Sequence, residues 1–345
     1  MFSKENIKKF APDFLCVVGI SLIVGFACGL VGTGFVKSIS FATGLRENNG
    51  WILYLLPALG LLLTLIYNKL KVNGIGTNHI IKSVRTDEKA SPLLSVAVFC
   101  GTVFSHFGGA SVGREGAALQ LGGSIGELFA EKFKISENYR RILVMSGMSG
   151  LFSALFGTPF AAFLFILEVG RVGKRCFNAV IPVFISSITG FLIANKLGVE
   201  PEHFSVNEIP EFSLELLWKF VLIAVVGAFV SWIFVNTLHK TEKVFVKLFK
   251  NEYIRVVFGG IIIIALTKIL GTTDYNGGGI NIVHHIFTHG EVNYEAFLLK
   301  IIFTSIPIER VVKYSRSMRR RSSIFSIVSV YPLYSVALEK TPGLS

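Results

Sequence analysis

Paired cysteines are missing from this chain. Cys16, Cys28, Cys100 and Cys176 are the four it has in 345 residues, each in or beside an apolar run and none at a paired spacing. That excludes a disulfide framework and a cysteine-built metal module, and leaves them as small packing residues. Also missing are a nucleotide-phosphate loop, a nucleophile with an adjacent base and any accessory domain, so no enzyme is expected. The N-terminal region shows no Ala-x-Ala exit and its first apolar run is too long for a signal peptide, so no cleavage is expected. Acid is scarce: 22 Asp and Glu stand against 34 Lys and Arg, a net charge of +12. Such an excess could point to nucleic acid, but the positive charges collect where apolar runs end, and no nucleic-acid partner is expected. His284, His285 and His289 contain an i,i+4 pair, yet no cysteine or carboxylate joins them at helical spacing. No metal and no cofactor are therefore expected.

What the chain has in quantity is apolar sequence: 52% hydrophobic residues and a mean hydropathy of +0.61. A soluble domain has about 45–50% even with glycine counted, so this is a polytopic membrane protein. Runs of near-spanning length occur at Phe14–Val36, Trp51–Leu70, Phe177–Leu197, Leu216–Leu238 and Ile254–Leu270. Shorter runs lie at Pro92–Phe107, Ala117–Ala130, Ile142–Phe156 and Pro159–Val169. Segments too short to cross alone predict broken or re-entrant helices, tolerated at membrane depth only against protein or around a cavity. Lys4, Lys8 and Lys9 precede the first run, and Lys69, Lys71, Lys82, Arg85 and Lys89 follow the second. The loop between those runs has only Lys37, Arg46 and Glu47, which puts the N-terminus and the 69–90 loop in the cytoplasm by the positive-inside rule. Residues 1–10 pattern as a short amphipathic segment lying on the membrane surface against lipid.

Between the apolar runs one stretch stands out, Gly108 to Gly126, which contains Gly113-Arg114-Glu115-Gly116-Ala117. An ionisable residue within a membrane segment is a functional-site hypothesis by default. Glycines opening a helix aim free backbone N–H groups and a positive dipole end at one point, which holds an anion without a full countercharge. The stretch reads as an anion site with Glu115 as a movable carboxylate; the bland alternative is an Arg114–Glu115 structural pair. Further along, Glu127, Glu131 and Lys132 close one helix, and Glu137, Arg140 and Arg141 open the next.

A second pattern is internal. Asn73-Gly74-Ile75-Gly76-Thr77-Asn78-His79-Ile80 follows two long spans, and Asn276-Gly277-Gly278-Gly279-Ile280-Asn281-Ile282-Val283 follows two more. Both fit Asn-Gly-x-Gly-x-Asn-x-aliphatic; the first reads as a turn opening a helix and a possible anion cradle. Repeated order of this kind marks transporters built around a midplane site. The repeat fails in one place. Glu115 lies 42 residues beyond Asn73, but the counterpart region near residue 318 is a Ser/Arg-rich run with seven Lys or Arg against two Glu after Ile308.

Gly113-Arg114-Glu115-Gly116-Ala117, with Leu-Gln-Leu-Gly-Gly-Ser-Ile-Gly soon after, resembles the Gly-Arg-Glu-Gly-Pro segment of the CLC family of chloride channels and anion/proton exchangers. The likeness runs from about residue 11 to 308 and includes the Gly74–Asn78 turn and the helix Pro159–Val169. It implies an all-α fold of tilted, broken helices in two inverted repeats, here with the second incomplete, and a homodimer with one anion path per subunit. The corresponding division is 1–10 amphipathic, 11–198 first half, 199–214 linker, 215–308 incomplete second half and 309–345 an aberrant basic tail, read as truncated or frame-disrupted. Carried over by position, Glu115 is the gating glutamate and proton carrier. Gly74, Ile75, Gly76, Thr77, Asn78, Gly113, Arg114, Gly116 and Ala117 are then the anion-binding residues. Ile75 stands where the family has an anion-touching Ser, and Asn78 resembles the fluoride-exporting branch. Val169 replaces an internal proton-accepting Glu. The expected activity is chloride transport across the cell or inner membrane, with protons as a possible second substrate; fluoride export and a non-conducting fragment are the alternatives.

Overall fold

Every described element is helical. The computed structural model describes residues 4–72, 74–86, 88–170, 177–200, 213–289 and 295–306. Asn73, the basic residues Arg171, Lys174 and Arg175, the bulk of the 199–214 linker, and the 309–345 tail lie outside them, as do the side chains of His284 and His289.

Helix α1 (Lys4–Asn48) is 45 residues long. It runs unbroken from Lys4 through the boundary expected near residue 10, and its spanning part, Phe14–Asn48, extends well past Val36. A 3-10 turn, Gly50–Leu55, leads into α2 (Leu56–Lys69), whose Pro57 occupies the first turn, where the absent N–H is no loss. Then come α3 (Thr77–Arg85), α4 (Leu93–Gly108), α5 (Glu115–Lys132), α6 (Glu137–Phe156), α7 (Pro159–Gly170) and α8 (Phe177–Lys196). The second set is α9 (Leu214–Leu248), α10 (Glu252–Leu270), α11 (Ile280–His289) and α12 (Glu295–Ser305). Among the described residues five stretches are long and apolar enough to cross a membrane, and α4 and α7 are shorter apolar helices. On α9, Trp218 and Trp232 are 55% and 62% exposed, as suits a lipid-facing surface in a membrane protein.

Lipid gives helices no hydrophobic reason to associate, so close packing must come from small residues. Gly122 and Gly126 of α5 meet Gly147 and the Leu143 carbonyl of α6 so closely that a β-carbon on any of these glycines would overlap the facing backbone. Gly190 of α8 meets the backbone of Gly150 of α6 in the same way. The sheath α1–α6–α8 encloses the apolar cluster built on Val24, Cys28, Leu119, Leu143 and Leu151. A smaller cluster, Leu56, Ala110, Ile263, Tyr275 and Phe303, ties the second set of helices to the first.

The sequence repeat has a backbone counterpart. Helices α3 and α11 each begin four residues after the turn's Asn, and Gly74 and Gly277 share left-handed φ values of 71° and 69°. A residue with a β-carbon is strained there. Gly76 and Gly279 differ, with φ of −126° and +83°, so the two turns diverge after their first glycine.

Candidate functional site

Two helix N-termini meet at the Gly-Arg-Glu stretch. Helix α4 ends on Gly109, left-handed at φ 83°, whose N–H donates to the His106 carbonyl while the Ala110 N–H donates to Ser105. This cap turns the chain back so that α5 starts at Glu115 inside the molecule. Arg114 is its N-cap with no side-chain cap bond, and the first intrahelical bond of the turn runs from Ala118 N–H to the Arg114 carbonyl. Helix α3 likewise starts on Gly76 without a side-chain cap. Both first turns therefore keep N–H groups that the helix cannot satisfy.

The two starts touch through three polar groups. Gln120 Nε2 donates to Thr77 Oγ1 at 3.0 Å and to the Gly116 carbonyl at 3.2 Å, and the Thr77 hydroxyl points at the same carbonyl from 3.5 Å. Gln120 is fully buried, and its Oε1 has no partner among the described residues. A side chain on Gly113 would collide with the Glu115 carboxylate, which folds back over the start of its own helix. At Gly116 an added β-carbon would lie 3.1 Å from Thr77 Oγ1. These glycines are there for clearance: one gives room to the carboxylate, the other to the neighbouring helix.

Most expected site residues are thus brought together: Gly76, Thr77 and Asn78 on one side, Gly113, Glu115, Gly116 and Ala117 on the other. Two behave differently from expectation. Ile75 donates its N–H to the Val72 carbonyl at 3.2 Å and packs its side chain on the apolar core, so neither group remains for an anion. Arg114 is half-buried with its guanidinium 5.7 Å from the Phe156 ring centroid, at the end of α6, a contact the sequence did not suggest. Gly74 supplies the turn.

Further along α5 lies a buried lock whose residues the sequence presents as charged helix ends. Glu127 and Arg140 are 0% and 2% exposed, joined at 2.7 Å. Arg140 also donates from Nε to Glu137 at 2.6 Å and from Nη2 to the carbonyls of Ser83, Thr86 and Glu88 at 3.2, 3.4 and 3.4 Å. Ala90 N–H donates to Glu127 at 3.4 Å. The lock holds the C-terminal end of α3 and the segment after it, and so sets where the Thr77 end sits. Much of the expected 69–90 loop is accordingly a packed helix. Arg85 donates to the Val169 carbonyl, tying α3 to the end of α7 where an exchanger's internal Glu would stand. Gln120 was legible as a lone amide in an apolar run, five residues past Glu115; the burial of Arg140 had no sequence signal.

The arrangement defines a class: a helical membrane protein in which two broken helices start side by side, Thr77 against Gly116, one residue from an acidic side chain. A family profile described as "Voltage gated chloride channel" matches residues 59–310, and the chain belongs to that family, the CLC proteins. It is 32% identical over 273 residues to a "Chloride/fluoride channel protein" of Pseudomonas syringae pv. tomato, covering 78% of this chain and 60% of that one. It is 26% identical over 329 residues to "H(+)/Cl(-) exchange transporter ClcA" of Vibrio campbellii, covering 87% and 69%. Among solved structures, a CLC-type fluoride/proton antiporter matches with a TM-score of 0.82 at 26% identity, over 98% of this chain and 85% of that chain. A slow cyanobacterial Cl−/H+ antiporter matches in fold, with a TM-score of 0.74 at 18% identity, over 93% and 82%. The chain spans less than two thirds of the Pseudomonas relative's length.

Proposed function

We propose that this chain moves a small inorganic anion, chloride first, across the cell or inner membrane, with its N-terminus cytoplasmic and with protons as a coupled substrate. The supporting observation is that the α3 and α5 starts meet, with Gln120 bonded to both Thr77 and Gly116, next to Glu115. In this reading the N–H groups of Gly116 and Ala117, with Thr77 and Asn78 opposite, hold the anion. The Glu115 carboxylate competes for the same dipoles and leaves them when it takes a proton, which makes it gate and carrier at once. Ile75 keeps only a packing role.

Fluoride is the second reading. Asn78 favours it, since a small, strongly hydrated anion needs extra donors to replace its water, and so do the names of the Pseudomonas relative and the fluoride/proton antiporter. A homodimer follows from the family likeness alone. Flux from liposomes loaded with chloride or fluoride separates the readings, and Glu115→Gln is expected to abolish coupled proton movement in either. A purified 345-residue chain that moves neither halide, beside a C-terminally extended version that does, would establish the third reading, a non-conducting fragment.

A further inference from the structure

A second group of donors lies away from the α3–α5 convergence, where the end of α1 meets the turn between α10 and α11. Arg46, near the end of α1, is 7% exposed. Its Nη2 reaches Glu47 at 3.4 Å, but Nη1 has no partner among the described residues. Glu47 is a weak counterion: it is 43% exposed and also accepts from Asn281 at 2.9 Å. Asn276 is 5% exposed; its Oδ1 meets the Thr267 hydroxyl at 3.1 Å, and its Nδ2 has no partner among the described residues. Two buried donors are therefore unspent, one of them on a cation.

They face the same place. A β-carbon on Gly109 would stand 3.2 Å from Arg46 Cδ and 3.4 Å from Asn276 Nδ2, and one on Gly277 would stand 3.1 Å from Arg46 Nη1. Both glycines are left-handed, so a side chain is disfavoured there on conformational grounds as well. Lys300 brings a second cationic group, its Nζ donating to the Tyr275 and Gly277 carbonyls at 3.1 and 2.6 Å. Beside these two cations the carboxylate that the geometry supplies is Glu47, 3.4 Å from Arg46 Nη2. Like charges gathered in a poorly solvated place need a countercharge.

We infer that Arg46, Asn276 and Lys300 form a second anion-binding site, distinct from the Glu115 convergence, that seats a small spherical anion such as a halide. The guanidinium fork is divided, one nitrogen toward Glu47 and one inward, so it cannot clasp a planar carboxylate with both arms. Single donors from three directions suit a sphere. The site is joined to the loop that carries Glu115, because Gly277 N–H donates to the Ala110 carbonyl at 3.2 Å. It does not rest on the transport reading, since an anion can be seated here whether or not one crosses.

The test uses the full chain in detergent micelles at constant ionic strength, with chloride, bromide or gluconate as the sole anion. Thermal unfolding is expected to rise saturably with either halide and not with gluconate, and the rise should persist in Glu115→Gln. Asn276→Asp places a carboxylate where the anion would sit. It should raise the half-saturating halide concentration at least about tenfold, and be as stable without halide as the parent is with it. Bromide anomalous scattering should fall beside Arg46 Nη1. Halide stabilisation that disappears in Glu115→Gln but survives in Asn276→Asp would assign the effect to the other site and overturn the inference. Equal stabilisation by gluconate and halide would overturn it too, because the effect would then not depend on a small spherical anion. Neither result bears on flux, which tests the proposed function separately.

Discussion

Replacing Arg140 with Met removes the charge from the buried lock while keeping much of the side chain's bulk. In the parent, one guanidinium satisfies two carboxylates and three main-chain carbonyls, all in a place where it is 2% exposed. Without it, Glu127 remains fully buried with only the Ala90 N–H, at 3.4 Å, as a donor. Removing one partner of a buried pair costs about 3–5 kcal/mol, chiefly because the other charge is left uncompensated. The exposed Glu137 end of the network adds little. Arg140→Met is therefore expected to destabilise by about 3–5 kcal/mol. Glu127→Gln, which keeps shape and a hydrogen-bond acceptor, should cost about 1–3 kcal/mol. The double variant should cost less than the sum, by about 1–3 kcal/mol of coupling. The assay is reversible unfolding in mixed micelles, read with the four chains of the double-mutant cycle. Because the lock sets the C-terminal end of α3, halide flux per folded molecule should fall as well. A loss below about 1 kcal/mol for Arg140→Met, the size of an exposed pair, would refute the claim that Glu127 and Arg140 act as a buried unit.

Gly113→Ala should force the Glu115 carboxylate off its seat, given the collision a β-carbon would make there; the expected outcome is altered halide flux in liposomes with folding intact. Gln120→Leu removes the amide between Thr77 and Gly116. It is expected to destabilise by about 1–2 kcal/mol in micelle unfolding and to lower flux, whereas Gln120→Glu can donate to the Gly116 carbonyl only when protonated, which should make flux pH-dependent. Gly147→Leu would drive a side chain into the Gly122 backbone. We expect a chain that fails to fold or is destabilised by more than about 3 kcal/mol, judged by recovery as a monodisperse species from detergent.

The family and the motif were open to reading because they rest on local chemistry. A glycine-flanked acid inside apolar sequence and an Asn-Gly turn repeated after paired spans are short patterns whose physical purpose can be inferred in isolation. The left-handed φ at Gly74 and Gly277 is the backbone form of that repeat. What resisted reading were contacts between distant segments. Nothing in the order of residues distinguishes Ile75, spent on packing and on Val72, from a residue that presents its N–H to a ligand. Glu127 and Arg140 resemble any polar helix ends until α5 and α6 close over them.

By itself the sequence determined that the chain lies in a membrane, that its helices are broken, and that one carboxylate sits at a helix start, because hydropathy and glycine act over a few residues. Only the tertiary structure decided which polar groups meet. Glycine-on-backbone contacts between helices far apart in the chain set their separation, and that separation brings Thr77 to Gly116, buries Arg140 on Glu127, and turns Arg46 and Asn276 toward a single space.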